Sequence, residues 1–285
     1  MDTAVIGLSL GMLLFTLAAG LTLIFGILRV INFAHGAYFT LGAYLAFQCS
    51  QTFGSVWVAM PIAAAAGFSL GVLQEVITFR PIYRFPHAFQ LLASLGVALI
   101  LETGIRVIWG LDVKNVGIPP SLAGAVSIFG SQVSFYRLLV VAVGIALAGS
   151  LFWIIDKTPV GIVVRAASTN SDMTQCLGIN VKLLRTFVLS ISAGLASLAG
   201  VFAAPLLPVD LSLGSAILID CFLVVCLGGS GSVKGALVVA VLYGLCEAFG
   251  QLMAPSWVSI GIYGFSVALL LVRPTGLFAR AERLA

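Results

Sequence analysis

The stretch RVINFAHGAYFTLGAY, residues 29–44, places polar side chains and small residues between two long apolar segments. Arg29 ends the first segment, and Asn32 and His35 come just before the second. Because the first segment is long enough to cross a membrane and the second begins within a few residues, the chain must turn back here. The stretch therefore predicts two membrane helices joined by a very short turn.

Two interpretations of this turn remain open. In the first, Arg29 extends its charged end toward the membrane surface and Asn32 caps a helix that begins near Phe33. In the second, Asn32 to Gly36 form a tight, glycine-lined turn beside a translocation path, with Gly42 on the helix that follows. We favour the second, because a capped interface needs no imidazole. His35 then either contacts a solute or holds the turn, and we expect that it holds the turn.

Composition extends the membrane assignment to the whole chain. Of the 285 residues, 61% are hydrophobic and 8% are charged, whereas soluble domains carry about 25% charged residues. The apolar character continues along residues 1–285, which predicts one all-α, polytopic membrane domain. The first segment has no basic start and is too long for a secretory signal.

The apolar segments predict about nine membrane spans, with eight to ten allowed by the pattern. Two of them, 37–53 and 212–229, are short and rich in glycine, so either could be a broken or re-entrant segment. The predicted spans are 4–28, 37–53, 56–79, 88–110, 134–155, 186–207, 212–229, 233–253 and 256–272.

The distribution of Lys and Arg predicts the orientation in the membrane. With nine spans and a cytoplasmic C-terminus, eleven basic residues lie on the inner side and three on the outer side. The inner set is Arg29, Arg80, Arg84, Lys157, Arg165, Lys182, Arg185, Lys234, Arg273, Arg280 and Arg283, and the outer set is Arg106, Lys114 and Arg137. The net charge of +4 therefore reflects topology and does not indicate nucleic-acid binding.

Residues 156–185 form the largest predicted inner loop. Pro159 suits the first turn of a helix, and a mildly amphipathic pattern continues to Leu177. Gly178 is suited to end that helix and Asn180 to cap the next one. The pattern predicts one short helix on the cytoplasmic side, which either only connects two spans or docks a soluble partner.

Carboxylates inside apolar segments are costly and need a partner or a cavity. For Asp220 and Glu247, internal pairing and a role in a solute pathway are equally open. We interpret Glu102 with Arg106, four residues apart on one helix face, as a structural pair. We also interpret Glu75 as structural, because it lies near Arg80 and Arg84.

The segment LGGSGSVKG, residues 227–235, is not a nucleotide-binding loop, because Val233 precedes Lys234 and a glycine follows it. It also lacks a nearby histidine base for a serine nucleophile. Its glycines, Gly228, Gly229 and Gly231, instead allow close helix packing or an exposed backbone along a path. We read Gly231 and Gly235 as a GxxxG pair. No pattern indicates a metal site or a bound cofactor.

Several motifs in order along the chain resemble the inner-membrane permeases of branched-chain amino acid ABC importers, the LivH type. They are RVINFAHGAYFTLGAY, EVITFRPIYR (75–84), LLASLGVAL (91–99), LGGSGSVKGALVVA (227–240), GLCEA (244–248) and RPTGLF (273–278). The resemblance assigns ATPase coupling to the loop residues Gly161, Arg165, Asn170, Gly178, Ile179 and Asn180. The chain departs from that family at Thr169, where an acidic residue is usual, and at Asp220, where lysine is common.

This resemblance implies a non-catalytic permease of the bacterial inner membrane that moves a small amino acid-like solute by alternating access. It implies a second homologous permease, two cytoplasmic ATPase subunits that bind the ATP, and a periplasmic solute-binding protein. The alternative is a stand-alone, ion-coupled transporter or channel for a small solute such as urea or an amide, coupled through Asp220 or Glu247.

Overall fold

Helices separated by short turns account for most of the chain. The computed structural model describes residues 2–28, 30–128, 131–229 and 231–278. Its helices are α1 (Asp2–Leu28), α2 (Ala34–Phe53), α3 (Val56–Ile82), α4 (His87–Trp109), α5 (Phe135–Lys157), α6 (Pro159–Thr169), α7 (Ser171–Cys176), α8 (Val181–Ala203), α9 (Leu213–Gly228), α10 (Val233–Met253) and α11 (Val258–Val272). The predictions for Arg29, Arg280 and Arg283 fall outside the described residues.

Each predicted span corresponds to one helix. Six helices, α1, α3, α4, α5, α8 and α10, are long and apolar enough to cross a membrane, and α9 and α11 are shorter apolar helices. Two segments could have been broken or re-entrant according to the sequence, and both of them, α2 and α9, are continuous helices. The α-helical membrane class is thus confirmed.

Two helices form the centre of the bundle. The most apolar windows of α1 and α8 are 78% and 72% buried, against 17% for α4. Lipid gives apolar helices no hydrophobic reason to associate, so small residues that admit close contact decide which helices pack. Gly7 of α1 lies against Gly244 of α10, and Gly200 of α8 lies against Phe39 of α2. These glycine contacts therefore determine that α10 packs against α1 and that α2 packs against α8.

A short antiparallel hairpin interrupts the otherwise helical chain. Strands β1 (Ala125–Ile128) and β2 (Ser131–Ser134) pair so that Ala125 lies opposite Ser134. They lie between α4 and α5, in a segment where the sequence predicts no span. Four-residue strands carry too little alternation to stand out from a loop, which explains why this hairpin was missed.

Contacts between helix ends define two sides of the bundle. On one side, Lys234 at the start of α10 pairs with Asp156 at the end of α5, with nitrogen and oxygen 3.0 Å apart. On the other side, Lys114 and Val209 exchange backbone hydrogen bonds between two loops. Both contacts agree with the sides that the charge distribution predicts for these residues.

Candidate functional site

The turn before α2 is held by a buried pair of amides. Asn32 Nδ2 donates to Gln74 Oε1 at 3.0 Å, and Gln74 Nε2 donates to Asn32 Oδ1 at 2.8 Å. Asn32 is fully enclosed and Gln74 is nearly so. Tyr38 adds a third bond by donating to Gln74 Oε1 at 2.9 Å. Two complementary amides thus satisfy each other where lipid would satisfy neither.

Asn32 also acts on the backbone of its own turn. Its Oδ1 accepts from the backbone N–H of Ala34 at 3.1 Å, although the position that caps α2 is Phe33, without a side-chain bond. From α4, Ser94 accepts the N–H of Phe33 at 3.2 Å and donates to the carbonyl of Ile31 at 3.3 Å. Asn32 therefore supports the start of α2 and anchors a tight turn, and a place for this turn beside a translocation path stays a prediction.

His35 is completely buried between α1 and α2. Its Nε2 lies 2.9 Å from the carbonyl oxygen of Leu17, and a Cβ on Gly20 would lie 3.1 Å from His35 Cε1. The imidazole thus packs against the backbone of α1 and is enclosed by protein. These contacts fit a residue that holds the turn, which stays a prediction.

Gly36 and Gly42 permit α2 to pass very close to two other helices. A Cβ at Gly36 would collide with the carbonyl of Gly214 on α9, and a Cβ at Gly42 would lie 2.6 Å from the carbonyl carbon of Ser197 on α8. Neither neighbouring atom can move without shifting a helix. The role of these glycines on this side of α2 is therefore close packing.

The turn after α9 contains two glycines in a backbone conformation that other residue types rarely adopt. Gly229 and Gly231 have φ values of 90° and 85°, in the left-handed region that glycine adopts without strain. Gly231 precedes α10, so the GxxxG interpretation is wrong: Gly235 packs instead against Gly228, at the end of α9. The predicted close approach exists, but between the end of α9 and the start of α10.

Asp220 and Glu247 have neutral hydrogen-bond partners. Tyr263 of α11 donates to Asp220 Oδ1 at 2.8 Å, and Tyr243 of α10 lies beside the same carboxylate. Glu247 accepts from Gln251 at 2.9 Å. Both carboxylates are partly exposed. Among the described residues, no hydrogen bond connects either one to Asn32 or His35.

The other two carboxylates, Glu102 and Glu75, differ in outcome. Within the described residues, no ion pair joins Glu102 to Arg106, so that predicted pair is wrong. Glu75 is fully buried, and its hydrogen-bond partner is Tyr83, which donates to Oε2 at 2.6 Å. Tyr83 lies eight residues further on and can reach back because the chain turns after α3.

The inner loop folds as predicted except for one break. α6 begins at Pro159, Gly178 (φ 84°) follows the end of α7, and Asn180 caps α8 by accepting from Leu183 N at 3.1 Å. The single predicted helix is wrong, because Asn170 adopts an extended conformation and caps α7 by accepting from Met173 N at 2.9 Å. An Asn side chain competes for backbone donors in this way.

Of the remaining loop residues assigned to coupling, Gly161 and Arg165 lie on α6 and Ile179 lies after α7. Gly161 is packed against the carbonyls of Ile154 and Ile155 at the end of α5. Arg165 is partly buried on α6, and Ile179 lies between α7 and α8. Large apolar side chains stay exposed along the loop, namely Ile162, Met173 and Leu177. Such a surface suits contact with another protein.

A chain of contacts connects this loop to the Asn32 turn. Arg185 donates to Ser171 of α7 at 3.2 Å, and its guanidinium carbon lies 4.6 Å from the ring centre of Tyr83. Tyr83 bonds to Glu75, and Glu75 follows Gln74, the partner of Asn32. Gln74 and Glu75 open a π-helical stretch, Gln74–Phe79, inside α3. Such π-bulges are frequent at functional sites.

Sequence reasoning missed Gln74, Tyr83 and Arg185 as members of this network. A signal for Gln74 was present, since it is an uncharged polar residue within an apolar span, next to Glu75. No sequence pattern indicates that Tyr83 and Arg185 meet, because about one hundred residues separate them.

Comparison with known proteins decides the family. Residues 3–272 match the family described as "Branched-chain amino acid transport system / permease component". The chain belongs to this permease family. The match confirms the predicted permease of an ABC importer and favours it over a stand-alone transporter or channel.

Relatives of the permease cover nearly the whole chain. It is 28% identical to the high-affinity branched-chain amino acid transport system permease protein BraD of Pseudomonas aeruginosa, over 97% of this chain and 94% of that protein. The LivH protein of Escherichia coli strain K12, with the same descriptive name, is 25% identical over the same shares. A probable LivH of Methanocaldococcus jannaschii is 28% identical, over 94% and 87%. No solved structure matches the chain.

Proposed function

We propose that this chain is the membrane-spanning subunit through which an ABC importer moves a branched-chain or other small apolar, zwitterionic amino acid. The substrate class comes from the names of the relatives, which are branched-chain amino acid permeases. The family assignment and the apolar helices support a place in the bacterial inner membrane. The subunit itself is non-catalytic.

The proposed assembly contains a second homologous permease, two cytoplasmic ATPase subunits and a periplasmic solute-binding protein. Nine helices cross the bilayer, α1 to α5 and α8 to α11, and the C-terminus is cytoplasmic. This topology puts α6, α7 and most basic residues on the inner side, as the positive-inside rule favours. ATP is bound by the partner ATPases and no cofactor is bound by this chain.

The observation that carries the proposal is the contact chain from the inner loop to the Asn32 turn. ATPase subunits that dock on α6 and α7 would displace Ser171 and, through Arg185 and Tyr83, the π-helical stretch of α3. Because Gln74 is bound to Asn32 by two hydrogen bonds, the turn must follow this movement. Alternating access then results from a shift between two arrangements that bind the solute differently.

Within this mechanism, the predicted path residues divide into two groups. Asn32, His35, Gly36 and Gly42 are enclosed by protein, so we assign them to the turn and its packing. Asp220 and Glu247 are partly exposed, which leaves them able to face a solute path between two permeases. Gly228, Gly229 and Gly231 lie where α9 ends and α10 begins, between the helices that carry Asp220 and Glu247.

The test is a substitution that removes only one contact in the series that connects the inner loop to the Asn32 turn. Tyr83→Phe deletes the hydroxyl that binds Glu75 and keeps the ring beside Arg185. Contacts alone do not establish energetic coupling, so the measurement must be functional: leucine uptake and ATP hydrolysis by the reconstituted importer. We expect at least about a five-fold drop in uptake per ATP, which corresponds to a coupling of about 1 kcal/mol.

Tyr44→Phe is the matched control, because Tyr44 is also buried and its hydroxyl makes no hydrogen bond to any residue that the structure describes. This variant should keep the wild-type ratio of leucine uptake to ATP hydrolysis. An unchanged ratio in Tyr83→Phe would contradict the proposed coupling route. Leucine uptake by the chain alone, without ATPase subunits, would contradict the importer assignment itself.

A further inference from the structure

Four cationic side chains surround one pocket where α3 ends and α8 begins. The pocket has a volume of about 490 Å³, and its polar lining consists of Arg80, Arg84, Lys182, Arg185, Glu75 and Tyr83. Within the described residues, no ion pair neutralises any of the four cations. The lining therefore holds four positive charges against one carboxyl group, which makes the pocket attractive to an anion.

The contacts of these cations are with neutral groups. Arg80 donates to Thr186 Oγ1 at 2.9 Å, and Arg185 contacts Ser171 and the ring of Tyr83. Arg84 lies over the ring of Phe85, 5.2 Å from its centre. Among the described residues, these contacts orient the guanidinium groups without forming an ion pair, and Arg80 and Arg185 lie close enough to interact with the charge of Glu75.

Two polar atoms on lining residues are buried without a hydrogen-bond partner among the described residues, Glu75 Oε1 and Arg185 Nε. Buried polar atoms in folded proteins are nearly always hydrogen-bonded, so each exception needs an explanation. An occupant that carries both an anionic oxygen and a hydroxyl group would supply an acceptor for Arg185 and a donor for Glu75.

The position of the pocket indicates where such an occupant comes from. It lies at the ends of two spans, α3 and α8, and therefore at the surface of the bilayer. Large apolar side chains within three residues of its cations are exposed: Ile77 at 68%, Leu183 at 66% and Phe187 at 47%. In the bilayer, lipid acyl chains cover such side chains, so the headgroups of the same lipids lie within reach of the pocket.

We propose that this pocket binds the headgroup of an anionic phospholipid that carries a free hydroxyl, as phosphatidylglycerol does. The four cations bind the phosphate, a glycerol hydroxyl donates to Glu75, and the acyl chains lie along Ile77, Leu183 and Phe187. Basic pockets between membrane helices bind anionic headgroups in this way. The bound lipid would join the inner ends of α3 and α8 beside the contact chain to Asn32.

The experiment measures lipid retention by native mass spectrometry on the full-length chain in detergent, titrated with short-chain phosphatidylglycerol or phosphatidylcholine. The main variant is Lys182→Gln, because Lys182 is exposed and its backbone carbonyl can still accept from Thr186. Removal of one cation should weaken phosphatidylglycerol retention about five-fold, and Lys182→Gln with Arg84→Gln about 25-fold. Phosphatidylcholine retention should not change.

Lys157→Gln is the matched control, since Lys157 is an exposed cation at the end of α5, on the same side of the bundle but outside the pocket. An equal loss in this variant, or equal retention of the two lipids by the wild type, would overturn the proposal. The proposal also fails if glycerol 3-phosphate binds with the same dependence on Lys182 while phosphatidylglycerol shows no preference.

A third outcome concerns protein partners. If Lys182→Gln leaves lipid retention unchanged but lowers the recovery of ATPase subunits with the permease, the pocket is a protein contact and the lipid assignment is wrong. Because the lipid titration uses the permease alone, its result does not depend on transport and is separate from the test of Tyr83.

Discussion

The Asn32 turn and the Asp220 site both place polar side chains between apolar helices, but they satisfy them differently. Asn32 and Gln74 are enclosed and exchange two hydrogen bonds. Asp220 is partly exposed, with tyrosine hydroxyls as its partners. A polar group surrounded by protein has one acceptable arrangement, whereas a partly exposed carboxylate has several. The first site therefore fixes packing, and the second keeps freedom to interact with something outside the chain.

The same contrast separates the glycines of the centre from those of the periphery. A Cβ at Gly42 would meet the backbone of Ser197, whereas a Cβ at Gly104 on α4 would meet nothing within 4 Å. Both residues lie within helices, so backbone conformation does not distinguish them. What differs is the distance to the next helix.

The largest predicted effect follows from this difference. Gly42→Ala forces α2 and α8 apart, because the methyl group would lie 2.6 Å from a carbonyl carbon that cannot move alone. We expect a loss of about 3 kcal/mol in the free energy of unfolding, at the upper end of overpacking costs. Thermal unfolding of the purified protein in detergent measures it.

Gly104→Ala is the control, and it should be neutral or stabilise α4 by up to about 1 kcal/mol, since alanine is the better helix former. Equal melting temperatures for the two variants would mean that α2 and α8 do not cross as closely as described. The claim that glycines at the centre of the bundle are required for close helix packing would then be wrong.

The amide pair gives the second largest effect. Asn32→Ala and Gln74→Ala each leave a buried amide without its partner, at a cost of about 1–3 kcal/mol. The double variant removes both amides, so its cost should fall below the sum of the singles by about 1–2 kcal/mol. A double-mutant cycle on unfolding measures this coupling energy, and strict additivity would show that the two side chains do not depend on each other.

Much of the fold followed from the sequence because the membrane imposes a simple rule. Every apolar segment long enough to span the bilayer must satisfy its backbone internally, which a helix does. The helix starts at Pro159 and after Asn180 could also be predicted, because the capping preferences of these residues act locally. The break at Asn170 did not, because an asparagine can cap a helix or sit within one and the sequence alone does not decide.

Only part of the network around Asn32 could be predicted from the sequence. The polar residues of the turn were conspicuous against an apolar background, but their partners depend on which helices are neighbours. Gln74 lies 42 positions from Asn32, and Arg185 lies further still from Tyr83. Contacts across such separations are decided by packing at positions such as Gly36 and Gly42, which the sequence shows only as small residues.

The smallest predicted effect lies at Asp220. Asp220→Asn keeps an oxygen that can accept from Tyr263 and, because the side chain is partly exposed, should change the free energy of unfolding by less than about 1 kcal/mol. Tyr263→Phe is the matched variant that removes the same bond from the other side. If the two variants unfold like the wild type but Asp220→Asn alone lowers leucine uptake, the carboxylate acts on the solute path. A loss of stability comparable to that of Asn32→Ala would instead place Asp220 with the packing residues, and the difference between the two sites would disappear.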